Sequence, residues 1–167
     1  MNIIGIAGWK NCGKTTLATT LIRELANRGF TVNSIKHAHH GVDVDQPGTD
    51  SYRHREAGAR EVILAGGQRF AIMHELRGAD EPTLEELLAR LGPCDWVVIE
   101  GFKAHPHPKI EVHRQECSRA PRHLEDSSVI AVATDYASDF SGPCFALNDV
   151  AGIADFILEH RALAGDT

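Results

Sequence analysis

The sequence predicts an α/β fold: a mostly parallel sheet flanked by helices. Three observations carry that expectation. Short apolar runs of strand length alternate with segments whose apolar residues recur at helical spacing. A glycine-rich turn, residues 8–15, sits between the first such run and the first amphipathic segment. A later run, Asp95-Trp96-Val97-Val98-Ile99-Glu100, is apolar throughout its interior, as a parallel strand buried on both faces should be.

Taken in order, residues 2–7 (Asn-Ile-Ile-Gly-Ile-Ala) read as the first buried strand. Residues 14–28 follow as a helix with Leu17, Leu21, Ile22 and Leu25 on one face, and Gly29 stands where a helix-ending C′ glycine belongs. Residues 31–36 are the second strand, and this strand–turn–helix–strand unit implies parallel pairing with a right-handed crossover. A polar loop over 37–49 closes on Pro47-Gly48; Thr49 or Asp50 then caps a short helix over 51–57, stopped by Gly58. Residues 60–65 and 69–74 flank Gly66-Gly67, so an antiparallel hairpin is expected at about 60–74, extending one edge of the sheet. Thr83 and Glu86 form a capping box for a helix over 84–91, ended by Gly92-Pro93. Strands over 95–100, 109–113 and 128–134 complete the sheet. Asn148 or Asp149 caps a last helix carrying Ile153, Phe156 and Ile157 on its apolar face, and the chain beyond Arg161 is expected to fray.

No repeat, low-complexity tract or linker divides the 167 residues, so a single domain over 1–167 is expected. A hydrophobic fraction of 43% with 24% charged residues is that of an ordinary globular chain. The net charge of -6 gives no basic footprint for a nucleic acid, so an anionic ligand must be held by locally placed groups. Cys12, Cys94, Cys117 and Cys144 are far apart and form no CxxC pair, which reads as reduced thiols in the cytoplasm. The apolar start is cut short by Trp9-Lys10; it is too short for a membrane span and lacks the basic region of a signal peptide.

Gly8-Trp9-Lys10-Asn11-Cys12-Gly13-Lys14-Thr15 matches G-x-x-x-x-G-K-[ST] in full. Such a loop curls so that successive N–H groups converge on phosphate oxygens, and the helix behind it presents its N-terminus to the same anion. The expected nucleotide-binding set is therefore residues 8–15 together with Thr16 at the head of the helix. Lys14 reaches the β- and γ-phosphates, and the Thr15 hydroxyl ligates Mg²⁺. These features predict a Rossmann-like, three-layer P-loop NTPase.

Such a site needs a carboxylate at the C-terminal end of a neighbouring buried strand, and Glu100 occupies that place. The loop from Lys36 to Ser51 lies at the same rim, with His37, His39 and His40 and several carboxylates; a metal site, a phosphate-sensing switch and plain solvated residues are all readings of it. Within it Asp45, with Asp43 close behind, is the second candidate magnesium carboxylate. Lys103 either touches a phosphate or an acidic partner or is a surface lysine, and His105 and His107, in a Pro-flanked loop, read as exposed. Asp135, after Ala133-Thr134 at a strand end, is a candidate reader of guanine N1–H and its amine, although the N-K-x-D pattern of many GTPases is absent.

The full P-loop, Lys-His-x-His-His with its following Asp-x-Asp-x-Pro-Gly-x-Asp-Ser, and Ala57-Gly58-Ala59 together resemble the molybdopterin-guanine dinucleotide biosynthesis adapter (MobB) family. Glu100-Gly101-Phe102-Lys103, Pro108-Lys109-Ile110 and residues 129–135 carry the resemblance further, over nearly the whole chain. The resemblance implies a cytoplasmic, homodimeric GTP-binding protein with Mg²⁺ and weak GTPase activity. It implies a guanylyltransferase partner of the MobA type, with molybdopterin as a further candidate ligand, and neither nucleic acid nor membrane. Lys14, Asp45 and Glu100 are then the residues expected to act on the nucleotide, and Thr15, Asp45 and Glu100 those expected to serve the metal. Many relatives carry Ser or Thr where this chain has Cys12. Two other readings belong to the same P-loop class: a stand-alone small-molecule kinase or synthetase, and a nickel metallochaperone GTPase.

Overall fold

In the computed structural model, which describes residues 1–38 and 43–164, the elements run as β1 (Asn2–Ala7), α1 (Lys14–Asn27), β2 (Val32–Lys36), α2 (Asp50–Glu56), β3 (Glu61–Ala65), β4 (Phe70–His74), α3 (Leu84–Leu88), β5 (Trp96–Glu100), β6 (Lys109–His113), a 3₁₀ turn (Arg122–Leu124), β7 (Val129–Thr134), β8 (Cys144–Ala146) and α4 (Val150–Ala164). The chain divides into two compact units. The first is Met1–His37 with the chain from Leu87 onward; the second is Ala38–Glu86.

The first unit is built on a six-stranded sheet in the order β2-β5-β1-β6-β7-β8, and every pairing in it is parallel. The strand order reverses at β1, which lies between β5 and β6. In open α/β sheets the crevice at such a reversal, at the carboxyl ends of the strands, is where ligands collect. Side chains alternate along each strand. Ile4, Ile6, Trp96, Val98, Ile110, Val112, Ala131 and Ala133 form one apolar cluster with Leu17, Leu21 and Leu25 of α1 and Ile153, Ala154 and Ile157 of α4.

Helix ends follow from local chemistry. At the end of α1 Gly29 donates to Ala26 O at 3.0 Å and Phe30 to Leu25 O at 3.1 Å, the paired bonds of a Schellman motif. Asp149, rather than Asn148, caps α4, its carboxylate accepting from Gly152 N at 3.0 Å. That helix runs on to Ala164, past the point where fraying was expected.

The alternate residues of β6, Lys109, Glu111 and His113, are polar yet buried. Lys109 Nζ donates to His105 O at 2.6 Å and to Ser128 Oγ, with Asp126 at 3.5 Å. Burial lowers the Lys109 pKa, and the Asp126 carboxylate works against that. Glu111 accepts from Arg122 N at 2.6 Å and from His123 N and Nδ1, each at 2.9 Å. His113 lies with Nε2 against Arg119 O at 2.9 Å and Nδ1 against the Tyr136 hydroxyl at 2.8 Å. Charged groups are tolerated at such depth only when paired in this way. They fasten the connections on either side of β6. One of those connections corrects a sequence expectation: His107 is only 4% exposed. Its ring takes the space left by Gly5, where a Cβ would collide with it.

In the second unit Thr49 caps α2 through Tyr52 N at 3.3 Å, and Thr83 and Glu86 form the reciprocal capping box. The hairpin pairs in register from Glu61↔His74 to Ala65↔Phe70. It forms a two-stranded sheet of its own and does not extend the larger sheet. A hairpin closed by a two-residue turn satisfies its facing backbone groups internally, so nothing compels it to join another strand. α3 ends three residues early because its last turn tightens to i→i−3 bonds, Arg90 N to Leu87 O and Leu91 N to Leu88 O.

Candidate functional site

The turn between β1 and α1 has the backbone a phosphate cradle requires. Gly8 (φ 141), Asn11 (φ 66) and Gly13 (φ 101) take positive φ. Gly8 is obligatory on a second count, since a Cβ there would meet the carbonyl oxygen of Val112. Gly13 is the N-cap residue of α1, and no side chain caps the helix. The N–H groups of its first turn therefore remain for an external acceptor.

Around this turn Lys14, Thr15 and Glu100, three of the residues expected at the phosphates and the metal, converge, whereas Asp45 is held elsewhere. The Thr15 hydroxyl lies 3.0 Å from both carboxylate oxygens of Glu100. Lys36 Nζ approaches Glu100 at 3.5 Å. Lys14 Nζ donates to Trp9 O at 2.7 Å. Burial lowers the Lys14 pKa; Glu100 opposes the shift, and the charges of Lys103 and Lys36 add to it. Glu100 is followed by Gly101 (φ 111), whose missing Cβ admits His37. Hydroxyl and carboxylate oxygens beside a set of uncapped N–H groups are the donor set that magnesium with a polyphosphate takes, so these residues fit the group.

Thr16 lines a small hollow with Arg114 and Leu147. Beside it, Asp135, Arg114, Gln115 and Glu116 border a cavity of about 370 Å³. Asp135 Oδ1 accepts from Gln115 N at 2.9 Å, which orients the carboxylate. Arg114 and Gln115 carried no sequence signal, since they lie outside every motif and reach this cavity only through the β6–β7 pairing.

Asp43 and Asp45 belong to the second unit. There the Arg55 guanidinium binds Asp43 at 2.8 and 3.2 Å, Asp45 at 3.2 Å and Glu75 at 2.7 Å. Asp45 also accepts from Ser51 Oγ at 2.9 Å and Thr49 Oγ1 at 3.1 Å. Arg55 holds the Asp43 carboxyl below its usual range. Burial pushes the Asp45 carboxyl up, but its hydrogen bonds to Ser51, Thr49, Gln46 N and Arg55 prevail, and its pKa lies below the ordinary value. His39 and His40 lie outside the described residues, and among the described residues no three His, Cys, Asp or Glu side chains gather to hold a metal.

The outer part of the P-loop holds two arrangements that spacing did not reveal. Cys12 is joined to Cys117 in a disulfide across 105 residues, Cα atoms 6.3 Å apart, which replaces the expectation of four reduced thiols. The spacing rules read only short-range pairs, and the loop after β6 makes this one. Trp9 donates Nε1–H to Ala120 O at 2.8 Å. Over its ring stand Arg119 (4.6 Å to the centroid), Arg122 (5.3 Å) and Lys103 (5.6 Å).

Residues 3–135 match the family model described as molybdopterin guanine dinucleotide synthesis protein B, MobB. The chain belongs to the MobB family. It is 41% identical over 160 residues to the molybdopterin-guanine dinucleotide biosynthesis adapter protein of Escherichia coli K12, covering 94% of this chain and 91% of that one. To the protein of the same name from Haemophilus influenzae it is 43% identical over 158 residues, covering 93% and 86%. Among solved structures, Bacillus subtilis MobB superposes with a TM-score of 0.72 at 26% identity, over 95% of this chain and 97% of that chain. A structure titled molybdopterin-guanine biosynthesis protein B gives 0.75 at 26%, over 94% and 98%. The fold class expected from the sequence, a mostly parallel sheet with flanking helices and an antiparallel hairpin, is the fold found, with the hairpin standing as a sheet of its own where it was expected to extend the larger one. No helix of the described residues is long and apolar enough to cross a membrane.

Proposed function

We propose that this MobB-family chain binds GTP with magnesium in its P-loop, hydrolyses it weakly, and serves as an adapter in molybdenum cofactor biosynthesis in the cytoplasm. Its partner in this reading is the MobA-type guanylyltransferase that attaches GMP to molybdopterin. The observation that carries the reading is the meeting of Thr15 and Glu100 at 3.0 Å beside the uncapped start of α1. The relatives' names supply the pathway.

In this reading the N–H groups of the P-loop and Lys14 hold the phosphates, and Thr15 and Glu100 serve the magnesium. Asp45 is the second carboxylate, a role that requires its release from Arg55. Asp135 reads guanine: its orientation is set by Gln115 N, and its oxygens retain lone pairs for the base. The chain works as a homodimer through the exposed face of the β3–β4 hairpin.

Nucleotide titration tests the site. Lys14→Ala is expected to weaken GTP about 10- to 100-fold, the worth of one charge-assisted contact. Asp135→Ala is expected to lower the preference for GTP over ATP while leaving phosphate binding in place. An unchanged GTP/ATP ratio would move base reading to other residues. For the adapter role, the chain with GTP and molybdopterin should retain the guanylyltransferase in a pull-down. Rapid transfer of the γ-phosphate to a small molecule by the isolated chain would instead make it a self-sufficient enzyme.

A further inference from the structure

Beside the outer part of the P-loop lies an open cavity of about 480 Å³, whose charged and aromatic lining is Trp9, Lys10, Lys103, Glu116 and Arg119, with the Cys12–Cys117 disulfide and the neutral Asn11 and Ser118 making up the rest. Three of these residues are cations and one is an acid, so the lining carries a net charge of about +2 (3 − 1) in a chain whose own net charge is -6. Among the described residues no carboxylate pairs with Lys10, Lys103 or Arg119. Arg122, the other cation over the Trp9 ring, is by contrast paired with Asp126 at 3.6 Å. Crowding Lys103 and Arg119 onto one indole costs mutual repulsion, which an anion between them would relieve.

The surround is built and held in place. Trp9 is fastened by Nε1 to Ala120 O at 2.8 Å. The loop carrying Arg119 is fastened by Glu111 and His113 of β6, and the disulfide ties Cys117 to the P-loop. The cavity takes in residues 9–12 of the loop, and the Lys14 ammonium lies against Trp9 O at one end of that stretch. That is the end from which Lys14 reaches the β- and γ-phosphates. The cavity shares no lining residue with the hollow around Thr16 and touches the cavity around Asp135 only at Glu116, which borders both.

We infer that this cavity is a second anion site, which takes the phosphate monoester of an organic ligand while the nucleotide occupies the P-loop. A phosphate monoester carries about -1.5 to -2 charges at neutral pH, the complement of the lining. A volume in the range of small-molecule pockets leaves room for the body that bears the phosphate. Lys103 and Arg119 supply the donors, and Trp9 holds them at the mouth. The inference goes beyond the nucleotide reading, for it needs the P-loop only as a wall.

The test is equilibrium dialysis of radiolabelled glycerol 3-phosphate against the full chain saturated with magnesium and a non-hydrolysable GTP analogue. One equivalent should bind, and Lys103→Ala and Arg119→Ala should each weaken it about tenfold. Lys103→Arg should retain it, and nucleotide affinity in the alanine variants should change less than about threefold. Loss of ester binding once the nucleotide is present would overturn the inference, as would variants that weaken nucleotide and ester alike; the cations would then serve the nucleotide's own phosphates. Equal binding of succinate would overturn the phosphate assignment. Should the chain bind no GTP, the nucleotide reading fails on its own. The ester arm, repeated with Lys14→Ala and no nucleotide, still decides the second site.

Discussion

The Thr15 hydroxyl and the Glu100 carboxylate meet because β1 and β5 run parallel with Ile6 level with Glu100. The residue ending one strand therefore faces the turn that leaves the other. Strand-end logic makes this pair readable from sequence: an apolar run closing on an acid places that acid at the rim. What spacing leaves unread at this scale is contact made over long distances in the chain. Cys12 and Cys117 are one case, and a thiol assay puts numbers to it. In the air-oxidised, denatured protein, alkylation followed by intact-mass measurement should label two cysteines, Cys94 and Cys144; addition of reductant should raise the count to four. His107 is another case. Burial, then repulsion from Lys109 and His105, pushes its pKa from the ordinary 6.5 down to about 4. Between those values the unfolded chain takes up a proton that the folded chain refuses. Stability is therefore fully present above pH 6.5 and falls as the pH drops toward 4. Urea midpoints at pH 7 and pH 4.5 should differ in that direction, and His107→Gln should shrink the difference.

At the scale of elements, β6 does two jobs with alternate residues. Ile110 and Val112 join the apolar cluster, while Lys109, Glu111 and His113 fasten polar connections. A run of Lys-Ile-Glu-Val-His alternates as a strand with one wet face would, and the sequence reads it as a strand on that ground. Its second face is nonetheless closed over, because Arg122 N, His123 N and His123 Nδ1 all turn inward onto Glu111. No periodicity announces this, since the donors lie in a single short 3₁₀ turn. Glu111→Ala should therefore act on the loop before it acts on the sheet. Amide hydrogen exchange over residues 114–124 should accelerate about 10- to 100-fold while β1 and β5 keep their protection. Uniform acceleration across all strands would assign Glu111 to global stability alone. Caps and turns were the best-marked elements, because a capping box and a Gly-Gly hairpin are local chemistry. β8 went unread: three residues after Gly142-Pro143 offer no periodicity.

For the molecule as a whole, the composition and the alternation of strand and helix were enough to foresee the parallel sheet, whose crossovers follow general rules of handedness and adjacency. The place of the hairpin was not foreseen, because two paired strands leave their wider partners undetermined. Its free face is unusual. Ile63 and Ile72 sit opposite each other and Phe70 lies two residues along on the same face, and they are 64%, 54% and 68% exposed. Such a patch favours association with another surface. With a second copy as the proposed occupant, Phe70→Glu with Ile72→Lys should convert a dimer into a monomer in sedimentation equilibrium while GTP affinity stays within about twofold. A wild-type chain that sediments as a monomer across the micromolar range would remove the dimer.

The position of β1 between β5 and β6 also bears on how the chain comes into being. β1 is a largely apolar hexapeptide whose two hydrogen-bonding neighbours begin only about 90 and 100 residues later in the chain. At a synthesis rate of about 5–20 residues per second, that strand waits roughly 5–20 s on the ribosome with both edges bare. The segment that becomes the phosphate loop's support is thus one that a chaperone would protect while its neighbours are still unmade.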